Sequence, residues 1–262
     1  MELGLHGKSV FITGASKGIG RGIAEAFAAE GCGLTICARD AEALDEAARA
    51  LRATGVEVVA LPTDVTKLAD LRRAVDQAMA TFGRINVLVN NAGEGWLGRS
   101  YDTTEDQWEY SIQLNLLSAV RLTRMVVPHM RTLSHGRIIN IASVSGHTMA
   151  PGVADYQTTK AAMIAFSKSM SLDLAPDKIL VNSVCPGPVR TPLWDRLADS
   201  AIGRFGATRE EVYANVGAQM PLGRHGTVEE VAAVVVFLAS DRASFITGSA
   251  YDVDGGFTKS TF

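Results

Sequence analysis

A phenol and an amine stand one helical turn apart in the stretch Tyr156-Gln-Thr-Thr-Lys160. On a helix, residues at i and i+4 leave the same face side by side. A free tyrosine, with a pKa of about 10, is a poor base at neutral pH. An ammonium roughly 4 Å away, at an effective dielectric of about 20, is worth about 4 kcal/mol. That corresponds to roughly three pKa units and would bring the phenol to about 7. A group tuned in this way suits general acid/base work on an alcohol or a ketone. Ser143 lies thirteen residues earlier, at the end of an apolar run, where its hydroxyl can hold a substrate oxygen while Tyr156 exchanges the proton. Asn115 sits within a helical stretch although asparagine is a poor helix former, so it needs its own reason. A buried amide tying backbone together is one such reason.

These groups work only if a framework holds them. Apolar runs that read as strands cover 8–14, 33–39, 56–64, 85–93, 137–143, 179–187 and 248–256. Between them lie helical periodicities, such as Ile19, Ile23 and Phe27, or Leu68, Leu71, Val75 and Met79. Thr104 followed by Gln107 fits a capping box opening a long helix through Asn115, and a further helix is expected over 152–175. Near-continuous apolar strands alternating with helices predict an α/β fold, a doubly wound, seven-stranded parallel sheet with helices on both faces. Ligands bind such sheets beyond the carboxyl ends of the strands. Gly14, Arg39, Asp64, Asn90-Asn91, Ser143 and Pro186-Gly187 all collect at those ends. Nothing along the 262 residues marks a seam, so one domain over 1–262 is expected.

The first strand runs into Thr13-Gly-Ala-Ser-Lys-Gly-Ile-Gly20, whose three glycines depart from the G-x-G-x-x-G spacing. Each still has a comparable task. Gly14 closes the strand, Gly18 lets backbone approach a ligand, and Gly20 lets the next helix pack close to the sheet. The helix N-terminus then offers unpaired N–H groups to a pyrophosphate. The alternative is a strand-to-helix turn with no ligand.

Taken in order, this loop, Asn90-Asn-Ala-Gly93, Ser143, Tyr156 with Lys160, and Pro186-Gly-Pro-Val-Arg-Thr191 resemble the short-chain dehydrogenase/reductase family, from about Lys8 to Phe257. The resemblance implies a Rossmann-like fold and reversible hydride transfer between a nicotinamide cofactor and a secondary alcohol or its ketone. Tyr156 would donate the proton in reduction and, as its anion, remove it in oxidation. Lys160 would also bond the nicotinamide ribose, and Asn115 would complete a tetrad by steering a water that connects Lys160 to solvent. Gly14, Ser16, Lys17, Gly18, Ile19 and Gly20 would cradle the cofactor, with Asn91, Ala92 and Gly93 beside it. Pro186, Gly187 and Val189 would wall the nicotinamide, with Thr191 near its carboxamide. Asp64 would accept from the adenine amino group with Val65 packed on the ring; otherwise Asp64 merely caps the following helix.

NAD-selective relatives usually end the second strand with an acid, where this chain has Ala38 followed by Arg39. Lys17 and Arg39 together suit a ribose 2′-phosphate, so the expected cofactor is NADP. In the alternative both cations are solvated, Asp40 binds the ribose and the cofactor is NAD. Residues 192–222 break the strand–helix rhythm with Leu193, Trp194, Leu197, Ile202, Phe205, Tyr213 and Met220, read as two amphipathic helices forming a substrate lid. Glu94, Trp96, Ser145, His147, Met149 and Trp194 are candidates for the substrate pocket, or else plain loop and core packing. Relatives acting on acyl carrier protein carry arginines where this chain has Ser134 and Leu172. The expected partner is therefore a free small-molecule alcohol or ketone, or a coenzyme A thioester, rather than an acyl carrier protein. The resemblance also implies a homotetramer. A non-catalytic NADP-binding regulator is the reading of another class; the intact Asn115, Ser143, Tyr156 and Lys160 argue against it.

Composition bounds the rest. With 47% apolar and 20% charged residues and a net charge of −3, the chain suits a globular protein and lacks the basic footprint of a nucleic-acid binder. The longest apolar run, 231–239, is too short to cross a bilayer. The opening residues lack a basic n-region and an apolar h-region, so a cytoplasmic location is expected. Cys32, Cys37 and Cys185 are scattered, and the five histidines form no ligand-spaced pair. Reduced, buried thiols and no catalytic metal are the expectation.

Overall fold

Seven parallel strands form one sheet: β1 (Ser9–Thr13), β2 (Gly33–Ala38), β3 (Val58–Pro62), β4 (Val87–Asn90), β5 (Gly136–Ile141), β6 (Ile179–Pro186) and β7 (Ala250–Val253). Their order across the sheet is β3-β2-β1-β4-β5-β6-β7. The structure is a computed structural model and describes residues 2–96, 98, 100–205 and 208–259, with the side chains of 197 and 200–205 left aside.

The strand sequences explain the layers. Every residue of β1 and β5 is buried, as a parallel sheet covered on both faces demands. Alternation along β1 sends Val10 and Ile12 to one core and Phe11 to the other. The first core includes Ile23 and Phe27 of α1 (Gly18–Ala29), Leu44 of α2 (Ala41–Arg52) and Val231, Val235 and Leu238 further along the chain. The second includes Leu71 and Val75 of α3 (Leu68–Phe82). The chain reverses direction across the sheet between β3 and β4, so β1 and β4 lie side by side and open a crevice at their carboxyl ends.

The long helix expected from Thr104 differs from an ordinary α-helix. Thr104 and Gln107 do form the capping box, with Gln107 N–H donating to Thr104 Oγ1 at 3.4 Å and Thr104 N–H to Gln107 Oε1 at 3.1 Å. α4 (Glu105–Ile112) then passes through a π-helical turn, Gln113–Leu117, into α5 (Ser118–Leu133). Asn115 sits in that widened turn, fully buried. Such turns frequently mark functional sites.

α6 (Ala154–Leu174) carries Tyr156 and Lys160. The 192–222 segment holds α7 (Pro192–Phe205) and α8 (Arg209–Gly217), joined where Tyr213 Oη donates to Asp195 Oδ1 at 2.8 Å. Tyr213 and Met220 are buried, whereas the side chains of Leu197, Ile202 and Phe205 lie outside the described residues. α9 (Val228–Ala239) is the apolar run of 231–239 and packs in the first core. Among the described residues no helix is long and apolar enough to cross a membrane.

Candidate active site

The glycine turn is fixed by its neighbours. Gly14 has φ +67°, and a Cβ there would stand 2.9 Å from Asn91 Nδ2. A Cβ on Gly20 would fall on the Gly14 carbonyl oxygen and on Asn91 Nδ2. Asn91 Nδ2 donates to the carbonyls of Thr13 and Gly14 at 2.8 and 3.1 Å. Thr13 Oγ1 in turn accepts the backbone N–H groups of Asn91 and Ala92, both at 3.0 Å. The ends of β1 and β4 are thus stitched into one rim. Lys17 at the N-cap of α1 places no side-chain cap on the helix, which leaves first-turn N–H groups to face a ligand. This cradle fits a dinucleotide pyrophosphate.

A cleft of about 560 Å³ opens over that rim, within the usual range for a cofactor site. Every residue expected to hold the cofactor lines it, Asp64 excepted. Asp64 Oδ1 instead accepts from Thr66 N–H at 3.0 Å and Thr66 Oγ1 at 2.7 Å, with Lys67 Nζ 3.7 Å from its other oxygen. Those local donors turn it away from the wall, where Thr63 and Val65 stand. Asp40 does line the cleft, with its Oδ1 accepting Ala43 N–H as the N-cap of α2. Arg39 reaches the mouth, with Nη1 donating to Tyr110 Oη at 2.7 Å and Nη2 to Glu94 Oε2 at 3.1 Å.

At the far end of the cleft the Ser143 hydroxyl lies close enough to Tyr156 to favour its ionised form, while Ser143 Oγ accepts from Ser145 N–H at 3.1 Å. Lys160 Nζ lies 5.5 Å from the centre of the Tyr156 ring and donates to the Ile141 carbonyl at 2.8 Å. Asn115 Oδ1 accepts Glu94 N–H at 2.9 Å, and its Nδ2 donates to Glu94 O at 3.0 Å and Ser111 Oγ at 3.1 Å. A Cβ on Gly93 would stand 2.9 Å from Asn115 Oδ1 and 3.3 Å from Lys160 Nζ, so both groups press on that glycine.

The electrostatics correct one expectation. In this ligand-free site burial pushes the Tyr156 phenol above its ordinary value, and the Ser143 hydroxyl only partly opposes it. Burial also brings Lys160 down to about 8. The direction runs against a phenol lowered by the ammonium alone. Lys160 is buried and Tyr156 partly so, so desolvation penalises each charged form, and the amine lies over the ring while bonding a backbone carbonyl.

A buried polar ladder sets the position of α6. Asn90 Nδ2 donates to Asn140 Oδ1, Asn140 Nδ2 to Ser167 Oγ, and Ser183 Oγ to Ser167 Oγ, each at 2.8 Å. It ties β4, β5 and β6 to the helix that carries Tyr156. Its sequence signal is an asparagine in each of two otherwise apolar strands, Asn90 and Asn140.

Of the substrate candidates, Glu94, Trp96, Ser145 and Trp194 line the cleft. His147 and Met149 do not, which corrects that expectation. Residues 144–146 form a 3-10 turn, and Val144, Ser145, Thr148 and Ala150 of this loop stand on the cleft wall. Met149 is 60% exposed, and His147 turns to Cys185 and Asp252. Val153 and Gln157 line the cleft although neither was singled out. Each lies three residues before a catalytic candidate, Tyr156 and Lys160 respectively, and so shares its helical face.

Fold and cleft together define a dinucleotide-binding oxidoreductase. A family profile described as enoyl-(acyl carrier protein) reductase matches residues 14–258, and the chain belongs to that family, the short-chain dehydrogenases/reductases. The protein assigned as the ketoacyl reductase of the monensin polyketide synthase in Streptomyces virginiae is 39% identical over 247 residues, covering 94% of this chain and 95% of that protein. The structure of L-sorbose reductase from Gluconobacter frateurii, complexed with NADPH and L-sorbose, superposes with a TM-score of 0.95 at 37% identity, covering 99% of this chain and 100% of that one. An actinorhodin polyketide ketoreductase with NADPH gives a TM-score of 0.93 at 32% identity, over 97% and 98% of the two chains. The polyketide enzymes overturn the expectation that an acyl carrier protein is an unlikely partner, and make one plausible. Ser134 and Leu172 lie outside the cleft lining, so their lack of charge says nothing of what the cleft accepts.

Proposed function

We infer that this chain interconverts a secondary alcohol and its ketone with NADP(H), using Tyr156 as general acid and base. The observation that carries this is the meeting of Ser143, Tyr156 and Lys160 at one end of a cleft whose other end is the glycine cradle. The NADPH bound in the L-sorbose reductase supports the cofactor reading, as does Arg39 at the mouth with Asp40 Oδ1 capping α2.

When bound, NADP(H) supplies or accepts the hydride. The chain's own residues do the rest. The first turn of α1 and Lys17 hold the pyrophosphate, and Arg39 bonds the 2′-phosphate. Ser143 Oγ holds the substrate oxygen against the Tyr156 hydroxyl. In reduction the Tyr156 proton passes to that oxygen, and in oxidation the phenolate takes it back. Lys160 steadies the phenolate and bonds the cofactor ribose. Asn115 fixes the Glu94 backbone, and with it the Gly93 wall beside Lys160.

We read residues 1–262 as one domain and the 192–222 segment as a lid, supported by Leu193, Trp194, Val216 and Gln219 on the cleft wall. Three buried free thiols support a reducing, cytoplasmic setting. The purified protein should be screened with secondary alcohols, polyols, free ketones and ketoacyl thioesters, following reduced nicotinamide with NADPH and NADH. Turnover of a ketone with NADPH supports the reading. Tight NADPH binding without turnover of any member would favour a cofactor-binding regulator.

A further inference from the structure

Beside the cleft, but not lining it, three potential metal ligands converge. Cys185 of β6 and Asp252 of β7 are register partners in adjacent parallel strands, so their side chains leave the same face of the sheet. His147, just past the 3-10 turn after β5, meets them from the loop. Its Nε2 lies 3.6 Å from Cys185 Sγ and 3.5 Å from Asp252 Oδ1, and the three ligand atoms all lie within 4.8 Å of one another.

We propose that His147, Cys185 and Asp252 form a binding site for a zinc-class divalent cation, with water as the fourth ligand. The spacing carries the argument. Tetrahedral Zn²⁺ with Zn–N of about 2.0 Å and Zn–S of about 2.3 Å places nitrogen and sulfur roughly 3.6 Å apart, and nitrogen and a carboxylate oxygen roughly 3.4 Å apart. The two separations from His147 Nε2 match those values, and closing the third, between Cys185 Sγ and the Asp252 carboxylate, to roughly 3.5 Å takes at most a shift of the partly exposed Asp252 side chain. One thiol, one imidazole and one carboxylate select a borderline-soft ion such as Zn²⁺ over Mg²⁺ or Ca²⁺, which take oxygen. Two ligands come from strand ends and hold their places. Cys185 is fully buried, whereas the side chains of His147 and Asp252 are 21% and 34% exposed, leaving an entry path and room for water.

Binding replaces the S–H bond by an S–Zn bond and delivers the proton to solvent, with no change of oxidation state. Asp254 adds negative field at Asp252 while Lys160 adds positive field at Cys185, and the carboxylate and thiolate outweigh the single distant amine. The site adjoins the hydride-transfer residues, because β5 and β6 run side by side into Ser143 and Cys185, with Ala142 N–H donating to the Val184 carbonyl at 2.8 Å. Its existence does not depend on the activity inferred above.

The test uses tag-free, chelator-stripped protein titrated with Co²⁺ and then with Zn²⁺. Wild type should bind one equivalent of Co²⁺ with a thiolate-to-metal charge-transfer band, which one equivalent of Zn²⁺ removes. Cys185→Ala should lack that band, and a Cys32→Ala/Cys37→Ala variant should keep it. His147→Ala and Asp252→Asn should bind at least about tenfold more weakly, the loss that even outer-shell changes cause. These last two alter partly exposed side chains, so the test survives if Cys185→Ala misfolds. Absence of the band in wild type, its survival in Cys185→Ala, or wild-type affinity in both His147→Ala and Asp252→Asn would overturn the proposal.

Discussion

Arg39 and Glu94 meet at the mouth of the cleft, Nη2 to Oε2 at 3.1 Å, and the other oxygen of Glu94 lies 3.6 Å from Arg196 of α7. One carboxylate therefore spans a cation on the cofactor side and a cation on the 192–222 segment. A bound 2′-phosphate must compete with Glu94 for Arg39. In Arg39→Ala the NADPH KM should rise roughly 10- to 100-fold, the equivalent of a charge-assisted hydrogen bond of about 1.5–3 kcal/mol. The NADH KM should stay within about twofold, since that cofactor lacks the phosphate. Glu94→Gln should tighten NADPH by up to about fivefold, the worth of a partly exposed pair. Steady-state kinetics with both cofactors checks this, and an unchanged NADPH-to-NADH ratio in Arg39→Ala would refute the assignment.

Asn115 answers to two backbone groups of Glu94 at once. Removing it in Asn115→Ala strands a partly buried N–H and carbonyl, a loss of about 1–3 kcal/mol in unfolding free energy. The Gly93 wall beside Lys160 loosens with it, so kcat should fall while NADPH affinity changes less. Denaturant melts paired with kinetics measure both. A variant of wild-type stability would mean that the π turn, rather than the amide, holds the loop.

The direction of the Tyr156 shift fixes the pH dependence. Burial raises its pKa, so the protonated phenol that reduction needs is fully present at neutral pH. The phenolate that oxidation needs grows only as pH rises. Ketone reduction should therefore be flat from about pH 6 to 8, while alcohol oxidation climbs from about pH 7 to 10. Lys160, lowered to about 8, still carries its charge at neutral pH and begins to lose it within the rising limb, which flattens the climb. Profiles of kcat/KM in both directions test this; an oxidation rate already at plateau by about pH 7 would contradict it.

The sequence makes the frame legible because most of the strands are largely apolar runs closed by a glycine, a proline or a polar cluster at the carboxyl end. The glycine turn is equally plain, since Gly20 faces a collision that only a missing Cβ avoids. What escapes it depends on register and local turn geometry. For Asp64 the sequence leaves an adenine contact and a local cap side by side, and the bonds that Oδ1 accepts from Thr66 are the local part of that pair. His147 and Met149 read as pocket residues until the loop after β5 turns them away. The pairing of Cys185 with Asp252 is invisible in a chain where 67 positions separate them. The phenol shift was misjudged for a related reason: helical spacing gives the neighbour, but not the burial that both groups share.

The most direct test of the whole account is Tyr156→Phe, measured for NADPH affinity and for single-turnover reduction of whichever ketone the screen selects. The account predicts NADPH binding within about twofold of wild type and a loss of roughly 10²–10⁴ in rate, the range a positioned general acid contributes. Reduction at a wild-type rate in that variant would contradict it.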